Sequence, residues 1–256
     1  MDLAIIGGTG LYAFPGLRNV ARHTVSTPFG APSGAIVSGE LDGWRVAFLA
    51  RHGEAHLLAP HRVNYRANVR ALYDLGARRI IGVNAVGGIR ADMGPRVLAV
   101  PEQIIDYTHG RFDSFSDVEG AKVEHVDFTE PYSAALRAAL LAAARREGVS
   151  VVDGGCYGAT QGPRLETRAE IVRMRRDGCD LVGMTGMPEA VLARELGIDY
   201  ACLALVANWA AGCGDEASIS LPEIFANLEA ATVQVPPIIA ALLAEKQGRA
   251  GQGKTD

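Results

Sequence analysis

Cysteine is scarce in this 256-residue chain. Its four residues, Cys156, Cys179, Cys202 and Cys213, show no CxxC spacing and lie in or near apolar segments. They suggest neither a disulfide framework nor a zinc site, and fit reduced thiols in a cytoplasmic protein. Long apolar runs are lacking too. Stretches such as Ala201–Ala207 fall well short of the ~20 residues that a membrane span needs. The N-terminus enters a strand pattern at Leu3–Ile6, without the basic segment and longer apolar run of a signal peptide. Positive charge is not in excess: 25 Lys and Arg face 29 Asp and Glu, a formal net charge of −4. With no dense basic cluster interleaved with aromatics, nothing supports nucleic-acid binding. No Pro/Gly/Ser-rich linker divides the chain. One domain over residues 1–246 is expected, followed by a polar, Gly-rich tail, 247–256, expected to be disordered.

What is present is alternation. Leu3–Gly7, Trp44–Ala50, Arg79–Asn84, Ile104–Tyr107, Val151–Ala159, Leu181–Met184 and Cys202–Ala207 read as buried strands. Val63–Leu75, Tyr132–Glu147, Arg168–Asp177 and Pro188–Leu196 carry helical periodicity. A last helix is expected from about Pro222 to Lys246, kinked near Pro236–Pro237. The pattern predicts an α/β fold, a single domain with a mixed central sheet flanked by helices. Several strands end in Gly, Thr or Asn, which suits a site at strand carboxyl ends.

Four strand ends carry groups suited to an anion. Gly7-Gly8-Thr9-Gly10 can bring backbone N–H groups and a hydroxyl to a ligand, or form a plain tight turn; the full GxGxxG pattern is absent. Arg51-His52-Gly53 offers a guanidinium fork and an imidazole, or a surface Arg and a structural His. Asn84-Ala85-Val86-Gly87-Gly88 leaves room for backbone donation, or is a bend. In Gly183-Met184-Thr185-Gly186-Met187-Pro188-Glu189 a strand enters a helix, so Thr185 can donate to an anion there. Met184 can underlie a sugar ring or pack the core. His52, His56 and His61 do not suggest a metal, because Pro60 interrupts the helix that such spacing needs. His56 can line the anion site, and His61 sits near the start of the Val63 helix.

These segments, with His61-Arg62-Val63-Asn64-Tyr65-Arg66-Ala67-Asn68 and Gly162-Pro163-Arg164, occur in one order. Together the chain resembles the trimeric purine nucleoside phosphorylase and methylthioadenosine phosphorylase family from about Leu3 to Leu243. The resemblance implies that Thr9, Arg51, His52, Asn84, Ala85 and Thr185 hold phosphate. It places Met184 at the ribose, and His52, Glu166 and Asn208 as the residues carrying catalysis. Asn84 departs from the Thr usual in methylthioadenosine phosphorylases. His125 matches a His that reaches into a neighbouring subunit's nucleoside site, so a homotrimer is implied; the alternative is a surface His. Inorganic phosphate is the co-substrate, and neither metal nor organic cofactor is expected.

The resemblance also frames the nucleoside. Where methylthioadenosine phosphorylases carry two Asp residues for a 6-amino group, this chain has Asn208 and Ala210, either side of Trp209. An Asn amide both donates and accepts, which suits the O6/N7 edge of a 6-oxopurine. Glu166, beside Leu165, can accept from N1–H, or can be a helix N-terminal carboxylate near Thr167. Leu165 and Trp209 are expected at the substrate with them. The 5′ region, Ser218–Phe225, lacks the His of inosine-cleaving relatives and offers Leu221, Ile224 and Phe225. These can form an apolar 5′ pocket or pack the last helix. A 6-oxopurine site joined to an apolar 5′ site makes S-methyl-5′-thioinosine the expected nucleoside, ahead of inosine or guanosine and then methylthioadenosine.

Overall fold

A computed structural model describes residues 1–118, 120, 122–214 and 219–251, the last seven as backbone alone. The first strand, β1 (Leu3–Gly7), is buried along its whole length. That burial follows from its continuous apolar run, which has no polar face to give to water. Leu3 and Ile5 enter one core cluster and Ala4 and Ile6 another, so the sheet is covered on both faces. Next come β2 (Arg18–His23), β3 (Ile36–Leu41), β4 (Trp44–Ala50), α1 (Tyr65–Asp74) and β5 (Arg79–Gly88). The chain continues through β6 (Leu98–Val100), β7 (Gln103–Asp106), α2 (Ala134–Arg146), β8 (Val151–Asp153), β9 (Cys156–Ala159) and α3 (Arg168–Asp177). It closes with β10 (Leu181–Gly183), α4 (Glu189–Glu195), β11 (Asp199–Trp209), α5 (Leu221–Thr232) and α6 (Val235–Gly251).

The strands form one mixed, 11-stranded sheet among the described residues, in the order β2-β3-β4-β1-β5-β10-β9-β7. β11 joins beside β5 and continues through β6 to β8. β5 is the hub: it runs parallel to β1 on one edge and to β11 on the other, and antiparallel to β10 at its end. Helices α2 and α6 pack on one face and α1 and α4 on the other. The expected α/β fold with a mixed central sheet is found.

Local differences have local causes. Gly154 and Gly155, at φ of 89° and 98°, take the left-handed turn that splits the expected Val151–Ala159 strand in two. The last helix is broken rather than kinked, ending at Thr232 and restarting at Val235, just before Pro236. It runs to Gly251, so residues 247–251 are helical, and the rest of the expected tail lies outside the described residues. The stretch Leu221–Ala244 is long and apolar enough, by composition, to cross a membrane, at a mean hydropathy of 1.3. Glu223, Asn227 and Glu229 interrupt it, so it holds no long continuous apolar run. In the fold it is two helices, and Val235, Ile238, Ile239, Leu242 and Leu243 share a core cluster with Leu136 and Leu140.

Ile239 is 0% exposed in that cluster. Ile239→Ala should lower the unfolding free energy by about 2–5 kcal/mol in urea titrations. A loss below about 0.5 kcal/mol, the scale of a surface substitution, would contradict the core placement of α6.

Candidate active site

Parallel pairing brings the strand ends together. Gly7 of β1 stands beside Ala50 of β4, and Ile6 beside Gly82 of β5, so Gly8, Arg51 and the Asn84 region emerge side by side. β10 delivers Met184 and Thr185 to the same place. A cavity of about 460 Å³ opens there. Among the residues expected in the site, Thr9, Arg51, His52, Ala85, Leu165, Glu166, Met184, Thr185, Asn208, Ala210, Leu221 and Ile224 line it.

One end of the cavity is built on a buried ion pair. Arg51 Nε and Nη2 donate to the two carboxylate oxygens of Glu189, each at 2.8 Å, and Arg51 Nη1 donates to the Val83 carbonyl at 2.9 Å. The Tyr200 hydroxyl donates to Glu189 Oε2 at 2.8 Å. Both charged side chains are fully buried. Burial alone would push the guanidinium's pKa down; the Glu189 carboxylate more than offsets this, and the net shift is upward. The arrangement needs two close approaches. A Cβ on Gly8 would sit 2.9 Å from Arg51 Nη1 and 2.7 Å from the Val83 carbonyl oxygen. A Cβ on Gly82 would sit 2.0 Å from the Tyr200 hydroxyl.

Asn84 is not where the sequence reading put it. It is fully buried, is not among the cavity-lining residues, and donates through Nδ2 to Thr185 Oγ1 at 2.8 Å. Because the Thr185 oxygen accepts that bond, its own proton is directed elsewhere, and Thr185 lines the cavity. Asn84 therefore aims a donor rather than serving as one.

His52 also changes character. Its Nδ1 lies 2.7 Å from the Leu58 carbonyl oxygen, which can only accept, so Nδ1 carries the proton. Burial first, and the charge on Arg51 second, lower its pKa to about 4. At neutral pH His52 is thus a neutral imidazole whose Nε2 is an acceptor. The His56 ring lies 4.7 Å from the His52 ring, and His56 lines the cavity.

The far end depends on a β-bulge. Val206 of β11 pairs with Val86, but Asn208 pairs with the next residue, Gly87. Ala207 is the extra residue, and strand alternation breaks there, so Ala207 and Asn208 both line the cavity. Asn208 Nδ2 donates to the Trp209 carbonyl at 2.6 Å, which fixes the amide and leaves Oδ1 and one amide proton. Glu166 is the cavity's one lining carboxylate among the described residues. Its Oε1 accepts from the Thr160 hydroxyl at 2.6 Å, leaving Oε2 open. The N-terminal role at α3 belongs to Glu170, which forms a capping box with Thr167. Trp209, expected at the substrate, does not line the cavity; its ring lies against Gly94 and a groove shared with Arg90 and Arg175. Phe225 is exposed and does not line the cavity. His125 is exposed and outside it. Ser218 lies outside the described residues.

Sequence reading missed Glu189, Ile219, Leu228 and Arg111. Ile219 and Leu228 extend the apolar wall formed by Leu221 and Ile224. Arg111 donates to the carbonyls of Met184 and Met187 and to those of Thr160 and Gln161, tying the two loops together. Among the described residues, no three His, Cys, Asp or Glu side chains gather as a metal site.

The sequence matches the family model of the phosphorylase superfamily over residues 2–243. The chain belongs to that superfamily. It is a pentosyltransferase of the purine nucleoside phosphorylase type. It is 61% identical to a probable S-methyl-5'-thioinosine phosphorylase of Xanthomonas campestris over 240 residues, covering 94% of this chain and 96% of that one. It is 48% identical to a 6-oxopurine nucleoside phosphorylase of Pyrococcus furiosus, covering 82% and 80% of the two chains. The structure superposes on methylthioadenosine phosphorylase from Schistosoma mansoni in complex with tubercidin with a TM-score of 0.88. That alignment has 31% identity and covers 96% of this chain and 92% of that one.

Two measurements test this electrostatic design. Glu189→Gln in this phosphorylase leaves the Arg51 charge buried without its counter-ion and should cost about 3–5 kcal/mol of stability. An effect near zero in chemical denaturation would mean that the pair opens to water. His52 has a folded pKa of about 4 against an ordinary 6.5. Between those values the unfolded chain takes up a proton that the folded chain refuses, so stability falls as pH drops from about 6.5 toward 4. His52→Gln should flatten that part of a Tm–pH curve, leaving the smaller slope from His56, whose pKa is also lowered by burial. An unchanged slope would contradict the neutral assignment.

Proposed function

We propose that this phosphorylase cleaves S-methyl-5′-thioinosine with inorganic phosphate, giving hypoxanthine and 5-methylthioribose 1-phosphate. The observation that carries this reading is the base end of the cavity. Its one lining carboxylate is Glu166, and Asn208 and Ala210 stand there with no Asp among the described lining residues. A 6-oxopurine presents an N1 proton to the open Oε2 of Glu166, and its O6/N7 edge to the remaining proton of the Asn208 amide. Adenine would bring a lone pair to that carboxylate. At the other end Ile219, Leu221, Ile224 and Leu228 are apolar. They suit a methylthio group, and a hydroxyl left unpaired there costs about 1–3 kcal/mol.

In this reading phosphate lies among Thr9, Thr185, the Ala85 backbone and the uncommitted Nη1 proton of Arg51. The neutral His52 accepts the proton of the phosphate P–OH group. Met184 lies beneath the ribose. The glycosidic bond lengthens toward an oxocarbenium-like ribosyl cation, which the phosphate stabilises and then attacks at C1′ with inversion. Phosphate is a co-substrate, and the steps call on no further cofactor. Catalysis is positioning and electrostatics. The exposed His125 suits a residue offered to a neighbouring subunit, so a homotrimer in the cytoplasm belongs to this proposal.

His56 gives a second reading its footing. It lines the cavity and could pair with a 5′-hydroxyl, as inosine or guanosine would require. Turnover separates the two. With phosphate, kcat/KM should be highest for S-methyl-5′-thioinosine, then inosine, and lower by about 10² or more for methylthioadenosine and adenosine. Comparable turnover of methylthioadenosine would sink the base assignment, and a clear preference for inosine would sink the 5′ assignment. Asn208→Asp with Ala210→Asp should raise the 6-aminopurine to 6-oxopurine ratio by about tenfold or more.

A further inference from the structure

The bulge that aims Asn208 has a lock outside the cavity. A bulge leaves its extra residue without a ladder partner, and here that residue is Ala207. Its carbonyl accepts a hydrogen bond from Asn227 Nδ2 at 2.9 Å. Asn227 is 3% exposed and sits on α5, the helix that also carries Leu221, Ile224 and Leu228. The other end of its amide is filled as well: Arg96 Nε donates to Asn227 Oδ1 at 2.7 Å. Arg96 is held at a φ of 70°, unusual for a residue with a side chain, and its backbone N–H donates to the Val206 carbonyl at 2.7 Å. One Asn thus joins the bulged strand, the strained turn and the helix.

We propose that Asn227 is a positioning residue for nucleoside selectivity: by locking the Ala207 bulge to α5 it sets the base end and the 5′ end of the cavity together. A buried Asn with both amide groups bonded has one orientation, because reversing it would set Nδ2 against Arg96 and Oδ1 against a carbonyl. The phosphate end is built on β1, β4, β5 and β10 and meets α5 only where Gly10 approaches Leu228 and Thr232. The lock therefore acts first on the nucleoside. The assignment of base and 5′ ends rests on the proposed function.

Asn227→Asp is the test. It keeps the size and the acceptor for Arg96 but replaces the donor to Ala207 with a carboxylate oxygen facing a carbonyl. The KM for nucleoside and the Kd for free purine base should each rise about tenfold, the scale of one lost buried hydrogen bond. Discrimination at the 6-position and the preference at the 5′ position should both shrink, and the KM for phosphate should stay within about twofold. A role limited to folding would lower Tm and the active fraction, and hence kcat, while leaving both KM values and both selectivity ratios unchanged; that result overturns the proposal. An equal rise in the phosphate KM overturns it too. Should the variant fail to fold, Arg96→Gln, which frees the same amide from its other side, is judged by the same criteria. The base in each titration is the one that wild type binds best. A wrong substrate assignment would then appear in wild type alone and leave the test of Asn227 standing.

Discussion

The Arg51–Glu189 pair holds this site together. It joins the end of β4 to the start of α4, reaches Val83 of β5 through one nitrogen, and meets Tyr200 of β11 through the carboxylate. Two buried charges with bidentate geometry tolerate little displacement, because any loosening leaves one of them unpaired in a dry interior. The elements that deliver Thr9, His52, Ala85 and Thr185 are thereby held in one arrangement. The pair has a second effect. Glu189 cancels the charge of Arg51, and His52 is neutral, so the anion end of the cavity offers donors with little net positive charge. In the proposed reaction a phosphate held by dipoles and by a guanidinium whose charge Glu189 offsets keeps much of its charge until the ribosyl cation forms beside it. Its strongest partner then exists only in the transition state, which is where an interaction speeds a reaction.

The two ends of the cavity differ in how they are held. The anion end is fixed by charge and strand register. The base end is fixed by a bulge, one amide and a helix. Separate devices allow the same phosphate chemistry to be kept while the base and the 5′ group are read differently. This agrees with relatives that share the family and carry different nucleoside names.

Much of the frame was legible because buried strands announce themselves. Leu3–Gly7 is a continuous apolar run and Trp44–Ala50 is one broken only by Arg45, and their boundaries match the structure. Arg18–His23 was not legible, since it is a mostly exposed edge strand of polar and small residues. The site residues at strand ends could be found from small and polar residues following apolar runs. Their roles could not. A Glu after a Pro at a helix start reads as a dipole-favouring charge, so Glu189 gave no sign of a buried partner 138 residues away. What Asn84 and His52 do near the anion end is decided by the Thr185 and Leu58 oxygens, which neither short segment contains. The bulge at Ala207 is a property of pairing, and no window of β11 alone contains it. Trp209 stands between two lining residues, Asn208 and Ala210, and ordinary alternation turns it to the other side.

β11 fills the open edge of the hub strand, yet it lies late in the chain. Its register sets Asp199 against Arg79 and Trp209 against Gly88. On the ribosome, β1, β4 and β5 can assemble well before Asp199 emerges. During that interval β5 shows an unpaired, apolar backbone edge, the kind of surface that captures another nascent chain. The protein closes its most central seam with the last strand described, so that seam stays open through most of synthesis.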